Sequence, residues 1–416
     1  MFSFYKLGNG IRVMLVPMHD VQSVSLGLYM RAGTRDETPE INGIAHFLEH
    51  MVFKGSKNYP TSDDLTILEA TGGYKNAGTA QEYTVFEAKL PSDKLDLGLS
   101  VLSDIILNPL LKSDDLENEK KTILEEINRR NDQSEELVTE NFYLMRYKNS
   151  LTTLGTEKSV KSLHRDQFIS FWQKNYNSAN LLICISGKFD KPDLEKYFGH
   201  LPFNHSTIWD KPEIIPGPMI DVIERPTDQQ VQLTLGGEAF AMNDSRRFAL
   251  TVLFRVLDFG LSGRLFKATR VDRNLVYNIH AGADLDVDHG SWLVTAGVSK
   301  QNLSELLSVI LKELKLLRDE PLKDSELADA KEKVRVPLLF SLESPMSQME
   351  FYAQQGLFRP DEILTHVEAV KKIMAVTSED VQNVAKDLFT TKNLYLSLVG
   401  PVKEEEKLAL QEVLKC

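Results

Sequence analysis

An internal repeat constrains the fold of this chain more than any other feature of its sequence. The segment LKSDDLENEKKTI (111–123) matches LKDSELADAKEKV (322–334). NLLICISG (180–187) matches NLYLSLVG (393–400) with nearly the same separation between the two copies. Two independent matches at nearly equal offsets indicate a duplicated domain of about 210 residues.

A stretch without regular hydrophobic periodicity separates the two copies. FNHSTIWDKPEIIPGPM (203–219) contains three prolines and a glycine, which is typical of a linker. The sequence therefore predicts an N-terminal domain over residues 1–205, a linker over 206–219 and a homologous C-terminal domain over 220–416.

The order of apolar patterns predicts the class of each domain. Strand-like runs at 11–17 and 23–33 precede an apolar helical segment, NGIAHFLEHMVFKG (42–55). We expect an α+β fold with two homologous domains, each a mostly antiparallel sheet with helices packed on one face, enclosing a cleft or chamber. The other predicted elements are helices from Thr61 or Ser62 to Ala70, Ser92 to Leu107, Ser113 to about Asn131 and about Ser245 to Leu257, two strands within 74–91, and strands at 180–189 and 231–242.

Composition excludes several classes of protein. The net charge of −12 argues against a nucleic-acid partner, because phosphate binding requires an excess of Lys and Arg. The only cysteines, Cys184 and Cys416, form no CxxC pair, so neither a disulfide framework nor a cysteine-ligated zinc is expected. The sequence shows neither a signal-peptide pattern at its start nor an apolar run long enough for a membrane span, which predicts a cytoplasmic protein.

The HFLEH motif (46–50) points to a metal site. His46 and His50 stand four positions apart, so on a helix both imidazoles lie on one face and can hold one cation. Glu49 borders the same face and can reach a water on that cation, an arrangement that reverses the HExxH motif of the zincin peptidases. The alternative is a buried helix whose histidines bond to the backbone. A catalytic zinc site also requires a third protein ligand and an open position.

Three segments resemble one known family. HFLEHMVFKG, TGGYKNAGTAQEYTVF and ENEKKTILEEINRRNDQ are similar to the zinc peptidases of the insulinase and pitrilysin type, in the short two-domain form of bacterial relatives of mitochondrial processing peptidase. The resemblance covers essentially the whole chain. It implies that Glu126 is the third zinc ligand and that Glu119 is an accessory catalytic glutamate.

The spacing of the two glutamates on a helix is consistent with both of them facing the same metal site. Seven positions make about two turns, so Glu119 and Glu126 lie on one stripe of a helix, whereas Glu125 points about 100° away. An ordinary solvated charge face is the alternative interpretation. The repeat places Ala330 and Pro337 where Glu119 and Glu126 stand, so we expect one zinc ion per chain, bound by the N-terminal half.

The resemblance also implies a mode of substrate binding. Asn76 and Ala77 match the family's edge strand, which pairs with an extended peptide; the alternative is a turn followed by an ordinary strand. Ala80 departs from the family pattern, because a serine-like residue usually stands there.

The resemblance also identifies a pair of residues in the C-terminal half. Arg270 and Tyr277 match an Arg/Tyr pair that holds substrate and stabilises the oxyanion; the alternative is a salt bridge and a core tyrosine. In the short form of the family this pair reaches the zinc site from a partner subunit, which predicts a homodimer. Gly263 stands nearby where a serine is common.

The resulting hypothesis is a zinc-dependent endopeptidase. Glu49 would assist the attack of zinc-bound water on short or unfolded peptides that bind as an added β-strand. One alternative is a non-catalytic scaffold or partner subunit of a peptidase complex. A second is a protein that stores or senses metal without catalysis. Glu49, which is not a ligand, argues against the second.

Overall fold

The computed structural model describes residues 2–202 and 208–415, which divide into two compact units. Residues 203–207, at the predicted boundary between domain and linker, and Cys416 lie outside the described residues. The first unit comprises Met1–Asn128, Leu151–Asp210 and Phe340–Leu364; the second comprises Arg129–Ser150, Lys211–Leu339 and Thr365–Cys416.

A six-stranded sheet forms the centre of the first unit. Its strand order is β1-β2-β6-β3-β5-β4; β2 and β6 are parallel, and all other neighbours are antiparallel. The strands are β1 (Ser3–Lys6), β2 (Arg12–Pro17), β3 (Ser23–Met30), β4 (Tyr74–Thr79), β5 (Thr84–Pro91) and β6 (Leu181–Gly187).

A five-stranded sheet forms the centre of the second unit. Its order is β7-β11-β8-β10-β9, again with one parallel pair, β7 with β11. This order reproduces that of the first sheet without β1, which confirms the duplication predicted from the repeat and the α+β class. The strands are β7 (Met219–Glu224), β8 (Val231–Ala239), β9 (Val276–Leu285), β10 (Gly290–Val298) and β11 (Tyr395–Gly400).

Helices cover both sheets. Those of the first sequence half are α1 (Ile44–Val52), α2 (Leu95–Leu107), α3 (Ser113–Asp132), α4 (Ser134–Arg146), α5 (Glu157–Ser162), α6 (Arg165–Asn175) and α7 (Leu194–Phe198). Those of the second half are α8 (Arg247–Leu257), α9 (Arg264–Phe266), α10 (Leu303–Asp319), α11 (Asp324–Phe340), α12 (Pro345–Phe358), α13 (His366–Ala375), α14 (Ser378–Leu388) and α15 (Lys407–Val413). The first residues of α3 and α11, Ser113 and Asp324, occupy equivalent positions in the sequence repeat.

The two units exchange one helix each, which the linear boundaries at 205 and 220 do not anticipate. Helix α4 precedes the linker yet packs on β8 and β11 of the second unit, with Val138 and Phe142 buried. Helix α12 follows the linker yet packs on β2, β3 and β6 of the first unit. The exchanged helices begin at equivalent positions of the repeat, Ser134 and Pro345. Each copy therefore contributes the corresponding helix to the other unit.

The exchanged helix covers the sheet face that the other helices leave open. In the first unit, alternate strand residues pack with α1 and α2 in one hydrophobic cluster, while Met14, Tyr29 and Cys184 form a second cluster with Met349 and Ala353 of α12. Each sheet therefore carries helices on both faces, where one face was expected. Cys184 is a buried free thiol.

Several elements differ from the sequence-based prediction in type or in their boundaries. The helix expected from Thr61 or Ser62 to Ala70 is instead two short 3-10 segments, Asp63–Ile67 and Glu69–Thr71, in which the Asp64 carboxylate accepts hydrogen bonds from Thr61. Such local side-chain bonds compete with regular helix. The strands predicted over 23–33, 180–189 and 231–242 are shorter, and end at Met30, Gly187 and Ala239. No helix in residues 2–202 and 208–415 has the length and apolar character needed to cross a membrane.

Candidate metal centre

Helix α1 presents two imidazoles on one face. Their ring centroids are 4.7 Å apart with the planes inclined by 62°. Phe47, Leu48 and Met51 are fully buried and leave this helix one possible orientation against the sheet. His46 and His50 are consequently held side by side, with 13% and 21% of their side chains exposed.

A buried hydrogen-bond network fixes the start of α1. The Glu37 carboxylate accepts hydrogen bonds from the backbone N–H groups of Gly43 and Ala45 and from Asn42 Nδ2, each at 2.8 Å. Gly43 has a φ of +93°, and a Cβ there would lie 2.7 Å from the carbonyl oxygen of Leu154. This network lies outside the HFLEH motif, and no pattern in the sequence around Glu37 indicates it.

Helix α3 brings a carboxylate to the two imidazoles. Glu126 Oε2 lies 3.7 Å from His46 Nε2 and 3.8 Å from His50 Nε2. One ligand atom from each of these residues lies within 4.8 Å of the other two, the one such group of three among the described residues. Glu125 is exposed on a different side of the helix. The structure thus brings together the three residues that were expected to bind zinc.

Glu119 lies behind the imidazole of His50. Its Oε1 is 2.9 Å from His50 Nδ1, and its Oε2 is 2.5 Å from Lys54 Nζ. Burial alone would raise the pKa of Glu119, but the hydrogen bonds from His50 and Lys54 outweigh it and hold that pKa below its usual range. The ionised carboxylate favours a proton on His50 Nδ1 and leaves Nε2 available to a metal. Lys54 was not identified from the sequence.

Glu49 is buried next to the imidazoles. Only 9% of the residue is exposed, and its Oε2 accepts a 2.7 Å hydrogen bond from Thr79 Oγ1 at the end of β4. Burial raises the pKa of Glu49. Burial, and then the neighbouring His50, lower the pKa of His46 to about 4, so the His46 imidazole is neutral near pH 7. Neutral imidazole is the form that binds metal.

The residues fit a catalytic zinc ion. Two imidazole nitrogens and one carboxylate oxygen are a donor set of the catalytic zinc type, which leaves a fourth position for water or substrate. Ligand atoms about 2.0–2.2 Å from a tetrahedral zinc stand roughly 3–3.6 Å apart. The 3.7 and 3.8 Å separations here exceed that by a few tenths of an ångström, which small side-chain rotations would remove.

Strand β4 forms the edge of the sheet beside this centre. It pairs with β5 on one side, and its other edge is unpaired among the described residues. Ala77 packs on the hydrophobic cluster that includes α1, while Asn76 is exposed. The predicted substrate strand therefore runs next to the helix that carries the histidines.

The second unit contains the Arg/Tyr pair but no equivalent metal group among its described residues. Arg270 lies over the ring of Tyr277, with the guanidinium carbon 5.3 Å from the ring centroid. Arg270 donates to Asn274 Oδ1 at 2.7 Å, and 73% of Tyr277 is exposed, so the tyrosine is not a core residue. The catalytic role of this pair stays a prediction.

Other repeat positions explain why the second unit lacks the site. Ala330 is buried and Pro337 lies inside α11, where the first unit has Glu119 and Glu126.

At Gly263, a Cβ would lie 2.7 Å from the carbonyl oxygen of Leu257. The serine that is common there would require this backbone to shift.

Comparison with known proteins identifies relatives over nearly the whole chain. Residues 12–157 match the family described as insulinase (peptidase family M16), and residues 162–334 match the family described as peptidase M16 inactive domain. The uncharacterized zinc protease YmxG of Bacillus subtilis is 30% identical over 408 residues, which cover 96% of this chain and 98% of the relative. An uncharacterized zinc protease of Streptomyces coelicolor is 28% identical over 98% of this chain and 91% of the relative.

A solved structure has the same fold. A protease from Helicobacter pylori superposes with a TM-score of 0.87 at 20% identity, covering 96% of this chain and 99% of that one.

Proposed function

Because the chain belongs to the insulinase family of peptidases, family M16, we propose that it is a zinc-dependent endopeptidase that cleaves short or unfolded peptides. The observation that carries the proposal is the cluster of His46, His50 and Glu126 beside a buried Glu49 and an open edge strand. One zinc ion per chain would be held by the two histidines and Glu126. When bound there, zinc polarises the scissile carbonyl and lowers the pKa of water.

Glu49 is the general base and acid of this proposal. It is not part of the ligand set, and its carboxylate lies beside the ligands at the centre. Its role is to accept a proton from the attacking water and then to deliver that proton to the leaving amine. Burial raises the pKa of Glu49, which makes its carboxylate a stronger base than an exposed glutamate.

The peptide binds along β4 as an additional strand. An unpaired strand edge offers backbone N–H and C=O groups that pair with any extended peptide. Most of the affinity then comes from the main chain, which predicts loose sequence preference and a requirement for unfolded segments. Asn76 and Ala77 belong to this edge and would line the bound peptide.

We further propose a homodimer, on the ground of the family resemblance. Arg270 and Tyr277 of one subunit would then contact the substrate held by the other subunit, where a cation and a phenol stabilise developing negative charge. The test is complementation: Glu49→Gln chains mixed with Tyr277→Phe chains should regain part of the activity. A fully active monomer at all concentrations would contradict the dimer.

The decisive experiment measures cleavage and zinc content together. Wild type, Glu49→Gln and the matched control Glu125→Gln are incubated with a mixed pool of unfolded peptides. We expect Glu49→Gln to lose roughly 10²- to 10⁴-fold in turnover while keeping its zinc, and Glu125→Gln to behave as wild type. Wild type that binds zinc but cleaves no peptide would support the alternative, a non-catalytic partner subunit of a peptidase complex.

A further inference from the structure

Thr79 connects the proposed substrate strand to the proposed general base. Its Oγ1 donates a 2.7 Å hydrogen bond to Oε2 of Glu49. Among the described residues, no other hydrogen-bond donor contacts this carboxylate. Thr79 is the last residue of β4, whereas Glu49 lies on α1, so the bond joins two elements with separate tasks.

The β4–β5 ladder sets the position of Thr79. Thr79 pairs with Thr84 across the β4–β5 ladder, and their hydroxyl oxygens are 3.5 Å apart. Thr84 Oγ1 in turn donates to the carbonyl oxygen of Ala32 at 2.9 Å, which fixes its own rotamer. The pairing with β5 therefore places the Thr79 side chain beside Glu49, and its single hydroxyl hydrogen goes to the Glu49 carboxylate.

The turn after Thr79 is tightly packed. The N–H of Ala80 donates to the carbonyl oxygen of Tyr83 at 2.8 Å, which closes the hairpin between β4 and β5. A Cβ on Gly33 would lie 2.4 Å from the carbonyl oxygen of Ala80, so the neighbouring loop touches the turn backbone. The backbone of the turn after β4 is therefore in contact with the chain on both of its sides.

We propose that Thr79 is a positioning residue that aligns the Glu49 carboxylate with a peptide paired to β4. This inference rests on the proposed peptidase function. A glutamate side chain has several rotamers of similar energy, and a charge-assisted hydrogen bond selects one of them. Since Thr79 belongs to the strand that pairs with the peptide, the same strand sets the register of the scissile bond and the orientation of the base.

The test compares Thr79→Val with Thr79→Ser. Valine keeps the branched shape and suits a β-strand but has no hydroxyl, whereas serine keeps the hydroxyl. We expect Thr79→Val to lower kcat by roughly 10- to 100-fold, the range of losing one hydrogen bond to a charged group. KM and zinc content should stay at wild-type values, because in the described part of the chain the hydrogen bonds of Thr79 connect it to Glu49 and to none of the three ligand residues. Thr79→Ser should retain most of the activity.

A second measurement separates positioning from damage to the strand. The affinity for an uncleaved peptide is compared between Glu49→Gln and the double variant Glu49→Gln with Thr79→Val. Equal affinities are expected, because Thr79 acts through residue 49 and not through the peptide. A lower affinity of the double variant would overturn the inference, since Thr79 would then support the strand itself.

The outcomes also distinguish this inference from the function on which it rests. If neither wild type nor Thr79→Ser cleaves any peptide, the peptidase proposal fails. If wild type cleaves and Thr79→Val has the same kcat, the peptidase proposal stands and the role of Thr79 is wrong.

Discussion

His50 Nδ1 and Glu119 Oε1 lie 2.9 Å apart, and this contact joins helix α1 to helix α3 directly behind the candidate metal centre. The carboxylate orients the ring so that Nε2 faces Glu126. Lys54 holds the other oxygen of Glu119 and keeps that carboxylate ionised. Glu119 therefore orients the ligand His50, and Lys54 in turn holds Glu119.

Glu119→Gln should weaken zinc binding. A carboxylate behind a metal-bound histidine typically contributes about 10- to 100-fold in metal affinity. We expect a loss in this range when zinc is titrated against a chelator of known affinity. Glu117→Gln is the matched control, because Glu117 is exposed on the same helix and pairs with the neighbouring Lys120. Equal affinities of the two variants would contradict the role of Glu119.

Glu37→Ala should destabilise the start of α1. The variant leaves the backbone N–H groups of Gly43 and Ala45 and the Asn42 amide without their carboxylate acceptor. The expected loss is about 1–3 kcal/mol in the free energy of unfolding, measured by urea denaturation of the zinc-free protein. Glu40→Ala is the control, since Glu40 is exposed and its side chain bonds to Thr38. A loss no larger than that of the control would show that this network is dispensable.

Glu238→Ala should destabilise the second unit strongly. Arg146 of the exchanged helix α4 has no exposed side-chain surface and forms an ion pair with Glu238. Removing the carboxylate leaves a buried guanidinium whose remaining hydrogen bonds go to the neutral groups Ser291 and Tyr147. Losing one partner of a buried pair typically lowers the free energy of unfolding by about 3–5 kcal/mol.

The control for Glu238 is a nearby surface pair. Glu213→Ala removes the partner of Lys148, and both side chains are more than half exposed. Such a pair contributes at most about 1 kcal/mol. If urea denaturation gives the same loss for both variants, Arg146 does not depend on its partner.

Because of His366, the free energy of unfolding should decrease when the pH is lowered from about 7.5 to about 5.5. The residue is buried at the start of α13, and burial lowers the pKa of its imidazole below the ordinary value near 6.5. When the pH falls below about 6.5, His366 becomes protonated in the unfolded chain but stays neutral in the folded protein. The free energy of unfolding therefore decreases as the pH falls. His366→Gln should remove this contribution, which urea unfolding at about pH 7.5 and about pH 5.5 can measure. An unchanged slope in the variant would contradict the prediction.

The sequence determined the features that depend on local periodicity. Two histidines four apart lie on one helical face, and two glutamates seven apart lie on one helical stripe, whatever surrounds them. The repeat predicted that α3 and α11 begin at equivalent positions of the two copies. The apolar runs predicted the strands and the α+β class, because alternating and helical spacings bury different faces.

Only the tertiary structure decided which distant groups meet. Nothing in the local pattern states that Thr79 bonds to Glu49, that Lys54 pairs with Glu119, or that Glu37 caps α1. Such contacts join side chains from separate elements, so they depend on how those elements pack. The exchange of α4 and α12 has the same physical origin: an apolar helix face shows that a helix must be buried, but it does not specify the sheet that will bury it.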